Sequence, residues 1–599
     1  MKLSDYVFHY LASLGVRHVF MLPGGGAMHL VDSLGHCEGI EPVGNLHEQA
    51  SAIAAEAYAR VTNNLGVALV TTGPGGTNAI TGVAAAWQDS TPCLFISGQV
   101  KRADISGNSG VRQLGVQEID IVSLVKAITK YAVTVTDPAM VRYHLEKAVH
   151  SAKTGRPGPV WLDIPLDVQV AHVDPKDLKG YEPAENQKAS DDRFKEDLVA
   201  SFIELFKKAE RPVILAGNGI RLAGAQGDFL KFIDALGVPV LTTRLGVDLI
   251  SSEHDLHFGM PGMIASRSAN FTLQNSDLLL ILGARLDMAL IAYAPDKLAR
   301  GAKKVMVNID PAEINKIGPS IDLPIVMDAG LFMHRVLARK GTLQARDCST
   351  WIDRCRVWKE RYPFVLPEHH AEVEKVSVYA FSDILSRELT SDYVILPGNA
   401  GNACEIFLTA FKVKAGQRVF HNKGTGAMGF AQPAAIGACL ASGNRPTVCI
   451  DGDGGFQLNI QELETIRRLN LPIKFFVMNN DGYASIRVSQ RGCFERVTVA
   501  DKSSGLTLPD LSKVVGAYGI ATVRITDQKD LKQKIRQVLD MQGPVVCDVM
   551  IIPDEVRAPR VMSFHHADGT IVSKPLEDMS PLLEREEFYS NMIVKHLDY

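Results

Sequence analysis

Asp451-Gly452-Asp453-Gly454-Gly455-Phe456 and Asn479-Asn480-Asp481-Gly482-Tyr483 are the two stretches that decide the fold. Each follows a short apolar run, residues 445–450 before the first and 473–478 before the second. Such runs, ending at Gly- or Asn-rich turns, predict buried strands. Residues 460–469 between them show helical spacing. We therefore predict a β-α-β unit whose right-handed crossover brings both turns to the carboxyl ends of neighbouring strands.

The two turns carry oxygen ligands of the kind that Mg²⁺ prefers. They offer the Asp453 carboxylate, the Asn480 amide oxygen and the Gly482 backbone carbonyl. Mg²⁺ takes oxygen ligands in octahedral geometry and usually completes its shell with phosphate, and glycines let the backbone approach a ligand closely. The alternative is a pair of ordinary turns in an α/β sheet. The predicted metal-diphosphate site comprises Gly452, Asp453, Gly454, Gly455, Asn480 and Gly482, with Asp453, Asn480 and Gly482 as metal ligands.

Bulk composition is that of a soluble globular protein of several domains. The chain has 599 residues, 46% of them hydrophobic and 22% charged, and a net charge of −4, which gives no argument for nucleic-acid binding. Nine cysteines without a CxxC motif predict reduced core residues in a cytoplasmic protein. The N-terminus lacks the pattern of a signal peptide, and no apolar run reaches membrane-spanning length.

Helix and strand signals alternate along most of the chain, which predicts an α/β fold of three doubly wound parallel-sheet domains. The first domain covers residues 1–175, the central domain 190–345 and the third domain 375–555, with a polar linker at 174–190. Residues 556–599 form a C-terminal tail, in which 584–596 has the spacing of an amphipathic helix.

The spacing of the two turns narrows the class of protein. Residues 455–478 separate Gly-Asp-Gly from Asn-Asn, which resembles the motif of thiamine diphosphate (ThDP) enzymes. Further motifs along residues 1–555 resemble the acetohydroxyacid synthase (acetolactate synthase) family. They are Leu22-Pro23-Gly24-Gly25-Gly26, His47-Glu48-Gln49-Ala50, Thr72-Gly73-Pro74-Gly75-Gly76-Thr77-Asn78, Gly98-Gln99-Val100 and Gly158-Pro159-Val160-Trp161-Leu162-Asp163-Ile164-Pro165.

The resemblance implies catalytic roles for two residues in the first, pyrimidine-binding domain. Glu48 matches the glutamate that hydrogen-bonds the pyrimidine ring of ThDP and activates the cofactor; taken alone, a glutamate at a helix start also suits the helix dipole. Gln117, in Val116-Gln117-Glu118, matches a glutamine that reaches the substrate. Val116 replaces the family's phenylalanine, which reshapes the pocket.

In the third, diphosphate-binding domain the resemblance assigns further cofactor contacts. Gly398 and Asn399 lie in a turn that opens a helix, where backbone N–H groups suit a phosphate. The Gly426 carbonyl would accept a hydrogen bond from the pyrimidine amino group, and Met428 would wedge the cofactor into its bent shape; in isolation, Met428 would more often be core filling.

The family holds FAD in the central domain, and the resemblance implies the same here. The alternative is a structural domain that binds no cofactor. The matching segments depart from the family pattern at Pro261, where the family has histidine, and at Ala289, where a second arginine is lost. The implied FAD contacts are Gly217, Asn218, Gly219, Arg285, Asp287, Asp310 and Asp328.

The implied function is that of a carboligase that decarboxylates pyruvate or a related 2-keto acid and transfers the acyl unit to a second carbonyl acceptor. The family assembles as a homodimer or homotetramer, with ThDP, Mg²⁺ and FAD as cofactors. After Asn480 the family's channel tryptophan is absent, and Arg557 and Arg560 lie in a tail resembling that of branched-sugar carboligases. Acetyl transfer to a nucleotide-linked keto-sugar is therefore an alternative, and a non-catalytic ThDP-binding homologue is another.

Overall fold

The computed structural model describes residues 1–183, 189–343, 347–371, 374–399, 401–565 and 569–597, with the backbone alone at 189–194, 342, 402–403, 565 and 571. The predicted end of the central domain at residue 345 and the last two residues of the predicted tail lie outside the described residues.

The first domain is built on a six-stranded sheet with the strand order β2-β1-β3-β4-β6-β5, in which every pair is parallel. Its helices are α1 (Leu3–Ser13), α2 (Met28–His36), α3 (Glu48–Thr62), α4 (Pro74–Gln88), α5 (Ile121–Val125), α6 (Val141–Lys153) and α7 (Leu166–Gln169). Its strands are β1 (His18–Met21), β2 (Glu41–Gly44), β3 (Gly66–Val70), β4 (Cys93–Gln99), β5 (Tyr131–Thr134) and β6 (Val160–Pro165).

The central domain has a five-stranded parallel sheet with the order β11-β10-β9-β7-β8. Its helices are α8 (Ala189–Lys208), α9 (Gly219–Leu222), α10 (Gln226–Leu236), α11 (Arg267–Gln274), α12 (Pro311–Asn315) and α13 (Ala329–Leu337). Its strands are β7 (Pro212–Ala216), β8 (Val240–Thr242), β9 (Leu278–Leu282), β10 (Lys303–Asn308) and β11 (Leu323–Val326). Helix α14 (Ser349–Arg361) follows it.

The third domain repeats the topology of the first. Its parallel sheet has the order β13-β12-β14-β15-β17-β16. If the strands of each domain are numbered from one, this is the strand order of the first domain. Its helices are α15 (Val378–Glu388), α16 (Gly401–Ala410), α17 (Ala431–Ala441), α18 (Asp453–Gln457), α19 (Glu462–Arg468), α20 (Ala484–Phe494), α21 (Leu511–Ala517) and α22 (Leu531–Asp540). Its strands are β12 (Val394–Pro397), β13 (Arg418–Val419), β14 (Thr447–Gly452), β15 (Ile473–Asn479), β16 (Ala521–Ile525) and β17 (Val545–Met550).

These three sheets confirm the predicted fold class and the predicted β-α-β unit. Strands β14 and β15 are parallel neighbours, and Gly452 lies opposite Met478, so both turns leave the same edge of the sheet. The sequence interpretation missed α18, which begins at Asp453 immediately after the strand. A carboxylate in the first turn of a helix is favoured by the helix dipole and the free N–H groups.

The first and third domains share one hydrophobic core through helices α3 and α17. Both helices are rich in alanine, and the backbones come close: a Cβ atom on Gly437 would lie 2.0 Å from the Ala54 carbonyl oxygen. A buried ion cluster spans the same contact. Arg60 donates to Glu56 at 2.6 Å and to Asp89 at 2.7 Å, and Asp89 also accepts from Gly424 N–H at 2.9 Å. The end of α3 and the loop before β4 are thus joined to the loop after β13.

The C-terminal tail packs on the central domain. It contains β18 (Arg560–Val561), β19 (Ser563–His565), β20 (Ile571–Ser573), β21 (Met579–Ser580) and α23 (Arg585–Asn591). The prediction of a helix over 584–596 was wrong at its carboxyl end. Asn275 accepts hydrogen bonds from the N–H groups of Ile593 and Val594 at 2.7 and 3.2 Å, and this contact replaces further helical turns.

All nine cysteines lie among the described residues; none is in a disulfide, and eight are buried. Cys493 is the exception to the prediction of core positions, because it lies on an exposed turn of α20. Across the described ranges, we find no helix with the length and hydropathy of a membrane span.

Candidate active site

Asp453 holds the two predicted metal-binding turns together. Its Oδ2 atom accepts hydrogen bonds from the N–H groups of Asn480 and Gly482 at 3.1 and 3.0 Å, and its Oδ1 atom accepts from Gly454 N–H at 2.9 Å. Burial raises the pKa of this carboxyl group to about 6. The carboxylate therefore lies within hydrogen-bond distance of both turns, as the sequence predicted.

The donor set at these turns fits Mg²⁺, provided that the Asn480 amide oxygen is released by the Arg487 guanidinium group, which donates to it at 3.2 Å. Asp453 is buried beside Asn480 and the backbone of Gly482. No cluster of three or more His, Cys, Asp or Glu side chains suited to a metal occurs in the part of the chain that the structure describes. A metal here would thus need one carboxylate, an amide oxygen, a backbone carbonyl and cofactor phosphate, which is the hard oxygen set of Mg²⁺.

Several of the predicted cofactor-binding glycines are required by close packing. A Cβ atom on Gly398 would lie 2.4 Å from Asp451 Oδ1, and one on Gly455 would lie 2.8 Å from the same atom. Gly454 faces Tyr483, whose ring carbon would be 2.1 Å from an added Cβ. Burial raises the pKa of Asp451 to about 7. The sequence interpretation gave Asp451 no role, although it is the buried group over which these turns pack.

Asn399, Gly426 and Met428 lie in two neighbouring loops of the third domain. Asn399 Nδ2 donates to the Ala427 carbonyl at 2.9 Å, which joins the turn after β12 to the loop before α17. Gly426 has a φ of +60°, a conformation that favours glycine. Met428 is 36% exposed, so its side chain is not core filling.

Glu48 is the first residue of α3 and is buried. Its Oε2 atom accepts a hydrogen bond from Asn78 Nδ2 at 2.9 Å, and Gly75 lies beside Oε1, since an added Cβ would be in ordinary contact with it at 3.7 Å. Asn78 was quoted within a motif but given no role. Asn78 lies on α4 and Glu48 on α3, so no spacing within one helix records this contact.

Gln117 adopts a left-handed backbone conformation with a φ of +63°, which is uncommon for a residue other than glycine. Its carbonyl oxygen lies over Gly73, where a Cβ atom would be only 2.3 Å away. The neighbouring Val116 side chain is 86% exposed. Strained backbone of this kind concentrates at functional sites, which supports the assignment of Gln117 to the site.

Glu462, which the sequence interpretation did not single out, links the Glu48 segment to the third domain. Its carboxylate accepts from Asn45 Nδ2 and from Leu46 N–H, both at 2.8 Å. The side chain is fully buried, and burial raises its pKa. A partner 417 residues away in sequence leaves no local signal from which this contact could be predicted.

A cavity of about 260 Å³ lies between the first domain and the central domain. Gly217 and Asp310 do not line it: an added Cβ on Gly217 would lie 2.3 Å from the Gly283 carbonyl, and Asp310 accepts from Arg156 at 2.9 Å. The predicted FAD contacts that do line the cavity are Asn218, Gly219, Arg285, Asp287 and Asp328.

The three domains match three family models whose descriptions name one class of protein. The N-terminal thiamine pyrophosphate binding domain matches residues 1–124, the central domain of thiamine pyrophosphate enzymes matches 199–336, and the C-terminal thiamine pyrophosphate binding domain matches 399–549. The fold and the paired turns are accordingly those of a thiamine pyrophosphate enzyme.

Among curated proteins the chain is similar to acetolactate synthase large subunits. It is 32% identical to that of Cyanidium caldarium, over 91% of this chain and 92% of the relative. It is 32% identical to that of Lactococcus lactis, over 95% and 96%, and 34% identical to that of Corynebacterium glutamicum, over 92% and 87%. The chain belongs to the acetolactate synthase family of thiamine pyrophosphate enzymes.

Proposed function

We propose that this protein is a ThDP- and Mg²⁺-dependent carboligase that decarboxylates pyruvate, or a related 2-keto acid, and transfers the acyl unit to a second carbonyl compound. The single observation that carries the proposal is Asp453, which binds the backbone of both turns at the carboxyl edge of the third sheet. In an open α/β sheet this edge is where ligands bind. The acetolactate synthase relatives supply the reaction class.

Thiamine diphosphate, when bound, supplies the electron sink for decarboxylation. The chain's own residues bind and orient it: Asp453, Asn480 and Gly482 would hold the metal, and Gly398 and Asn399 would face the diphosphate. Glu48 would exchange a proton with the pyrimidine ring. Among the described residues no hydrogen-bond partner contacts Glu48 Oε1, so this atom remains available, while Asn78 fixes the orientation of the carboxylate.

Gln117 would position the keto-acid substrate, since its backbone is locked in the left-handed region over Gly73. Met428 would press on the cofactor from the loop that Asn399 binds. A non-catalytic homologue would have no need of a buried glutamate oriented by an asparagine.

Incubation with pyruvate and Mg²⁺-ThDP should release CO₂ and yield a hydroxy-ketone detectable by mass spectrometry; absence of both would contradict the proposal.

We further propose that the central cavity binds FAD. The cavity lies between two domains, a place where cofactor sites are common. Five of the seven predicted contacts line it. The Asp310 carboxylate is engaged by Arg156 and by the N–H of Ala312 and lies outside the cavity lining, so this proposal gives it no contact with the ribose.

The purified protein is therefore expected to be yellow, with a flavin absorbance band that persists after gel filtration. Asp328 caps helix α13 through Leu331 N–H at 3.0 Å and lines the cavity, so Asp328→Asn should retain the cap and weaken flavin retention. Asp322→Asn, on the strand edge outside the cavity, is the control. A colourless protein with full carboligase activity would rule the flavin out.

We also propose that the enzyme is oligomeric. Glu48 and the metal turns lie in different domains, and the loop that carries Gln117 is exposed to solvent in a single chain. Val111, Leu114 and Val116 are 52%, 58% and 86% exposed, and clustered exposed apolar side chains mark contact surfaces. We expect sedimentation at twice the mass of the chain or more. Leu114→Asp should shift the protein toward the monomer, whereas Leu230→Asp, at an exposed apolar position on α10, should not; a monomeric wild type would contradict this.

A further inference from the structure

Three side chains at helix α19 contact the first domain on both sides of Glu48. We call them the α19 clamp: Asn459, Glu462 and Arg468. Glu462 and Arg468 bind residues 44–46 through hydrogen bonds of 2.8 Å, and Asn459 Nδ2 donates to Gln49 Oε1 at 3.1 Å. Glu48 therefore lies between two points at which the third domain holds the first.

Asn459 differs from the other two members of the clamp because it also contacts the loop that carries Met428. Its Nδ2 atom donates to the Gly429 carbonyl at 2.8 Å. A carbonyl can only accept, so this contact fixes which end of the Asn459 amide is the nitrogen. Gly429 also packs on Leu458, whose Cβ would lie 2.7 Å from a Cβ atom added to the glycine. One amide group thus joins the Glu48 segment to the Met428 loop.

The Asn459 side chain is held in one orientation. The residue is only 7% exposed, and its backbone is left-handed with a φ of +67°, a conformation that asparagine adopts more readily than most residues. Its Oδ1 atom accepts from Gln461 Nε2 at 3.2 Å, and its backbone carbonyl accepts from Glu462 N–H at 3.0 Å. Backbone in sparsely populated regions is concentrated at functional sites, which points to a role for this asparagine beyond packing.

The clamp belongs to the crossover that connects the two predicted metal turns. Helix α18 begins at Asp453 and ends at Gln457, two residues before Asn459. After α19 the chain enters β15, which ends at Asn479 in the second turn. The stretch that links the metal turns is therefore also the stretch that holds the Glu48 segment, and any displacement of that segment against it has to break contacts of the clamp.

We propose that Asn459 is a positioning residue of the carboligase: its amide group fixes the Glu48 segment and the Met428 loop relative to each other, and so determines how both meet the cofactor. The inference rests on the proposed function and gives Asn459 itself no contact with cofactor or substrate. A displacement of about 1 Å caused far from the chemistry can lower a rate about a hundredfold. Binding of the diphosphate does not need this amide, because the metal turns supply those contacts.

The test compares the full-length wild-type holoenzyme with Asn459→Gly and Asn459→Asp. Both substitutions remove the amide donor, and both new residue types tolerate left-handed backbone; aspartate also keeps an acceptor for Gln461. We expect kcat for CO₂ release from pyruvate to fall roughly ten- to hundredfold in both variants. KM for pyruvate and the calorimetric affinity for Mg²⁺-ThDP should stay close to those of wild type.

Asn470→Gly is the matched control, because Asn470 also has left-handed backbone, with a φ of +48°, and follows the other end of α19 with an exposed side chain. Its kcat should equal that of wild type. Wild-type kcat in either Asn459 variant would overturn the inference. Equal losses of kcat, cofactor affinity and melting temperature would also overturn it, because they would show a general structural role.

Amide hydrogen exchange of the cofactor-free protein tests the clamp without catalysis. Asn459→Gly should speed exchange both in residues 44–49 and in residues 426–430, whereas Asn470→Gly should change neither. If wild type releases no CO₂ from pyruvate, the proposed function itself fails and exchange alone decides about Asn459. Equal protection of both segments in wild type and Asn459→Gly would then overturn the inference.

Discussion

A Glu48→Gln variant is expected to lose carboligation by about two to four orders of magnitude, the usual contribution of a positioned acid-base group. Glutamine has the same shape and can still accept the hydrogen bond from Asn78 that Glu48 Oε2 receives at 2.9 Å. It cannot exchange a proton with the cofactor. The measurement is the steady-state rate of product formation from pyruvate at saturating ThDP and Mg²⁺.

Cofactor binding separates this explanation from misfolding. The affinity of Glu48→Gln for Mg²⁺-ThDP, measured by calorimetry, should stay within about tenfold of wild type, since the metal turns are in another domain. Glu38→Gln, an exposed glutamate before β2, is the control and should keep full activity. A Glu48→Gln enzyme with near wild-type turnover would remove Glu48 from the mechanism.

An Asp453→Ala variant should lose the metal and, with it, the cofactor. Loss of even an outer-shell partner weakens metal sites about ten- to hundredfold, so removal of the single carboxylate should cost at least that factor in apparent affinity for ThDP. The measurement is a calorimetric titration of ThDP at fixed Mg²⁺. The substitution removes the charged ligand from a buried turn. Burial already raises the pKa of the Asp453 carboxyl group to about 6.

Alanine also leaves the N–H groups of Gly454, Asn480 and Gly482 without their acceptor, so Asp453→Asn is the second variant. Asparagine keeps an oxygen for these donors but carries no charge. Both variants should fail to bind Mg²⁺-ThDP, while Asp481→Asn, at the exposed position of the same turn, should bind it normally. Tight cofactor binding by a folded Asp453→Asn protein would contradict the proposed ligand set.

The sheets could be predicted because buried parallel strands are continuous apolar runs. Residues 473–478 predicted a strand that the structure has as Ile473–Asn479, and 445–450 predicted one that it has as Thr447–Gly452. The tail strands could not be predicted in this way. Arg560–Val561 and Met579–Ser580 are antiparallel pairs of two residues, too short for any periodicity to be visible.

The site was predictable where a local motif fixes the geometry and unpredictable where long-range contacts do. Asp453 and Asn480 follow neighbouring strands, so topology alone predicts their approach, and they bind each other at 3.1 Å. Glu462 contacts Asn45 and Arg487 contacts Asp554. These partners come together only when complete domains pack, and no spacing in the sequence records the contact.

A crystal structure of the protein grown with Mg²⁺ and thiamine diphosphate would test the proposed cofactor site. We predict a metal about 2.1 Å from Asp453, from the Asn480 side-chain oxygen and from the Gly482 carbonyl, with Glu48 of one chain against the pyrimidine ring. A cofactor bound elsewhere, or turns at 451–456 and 479–483 without metal and phosphate, would contradict it.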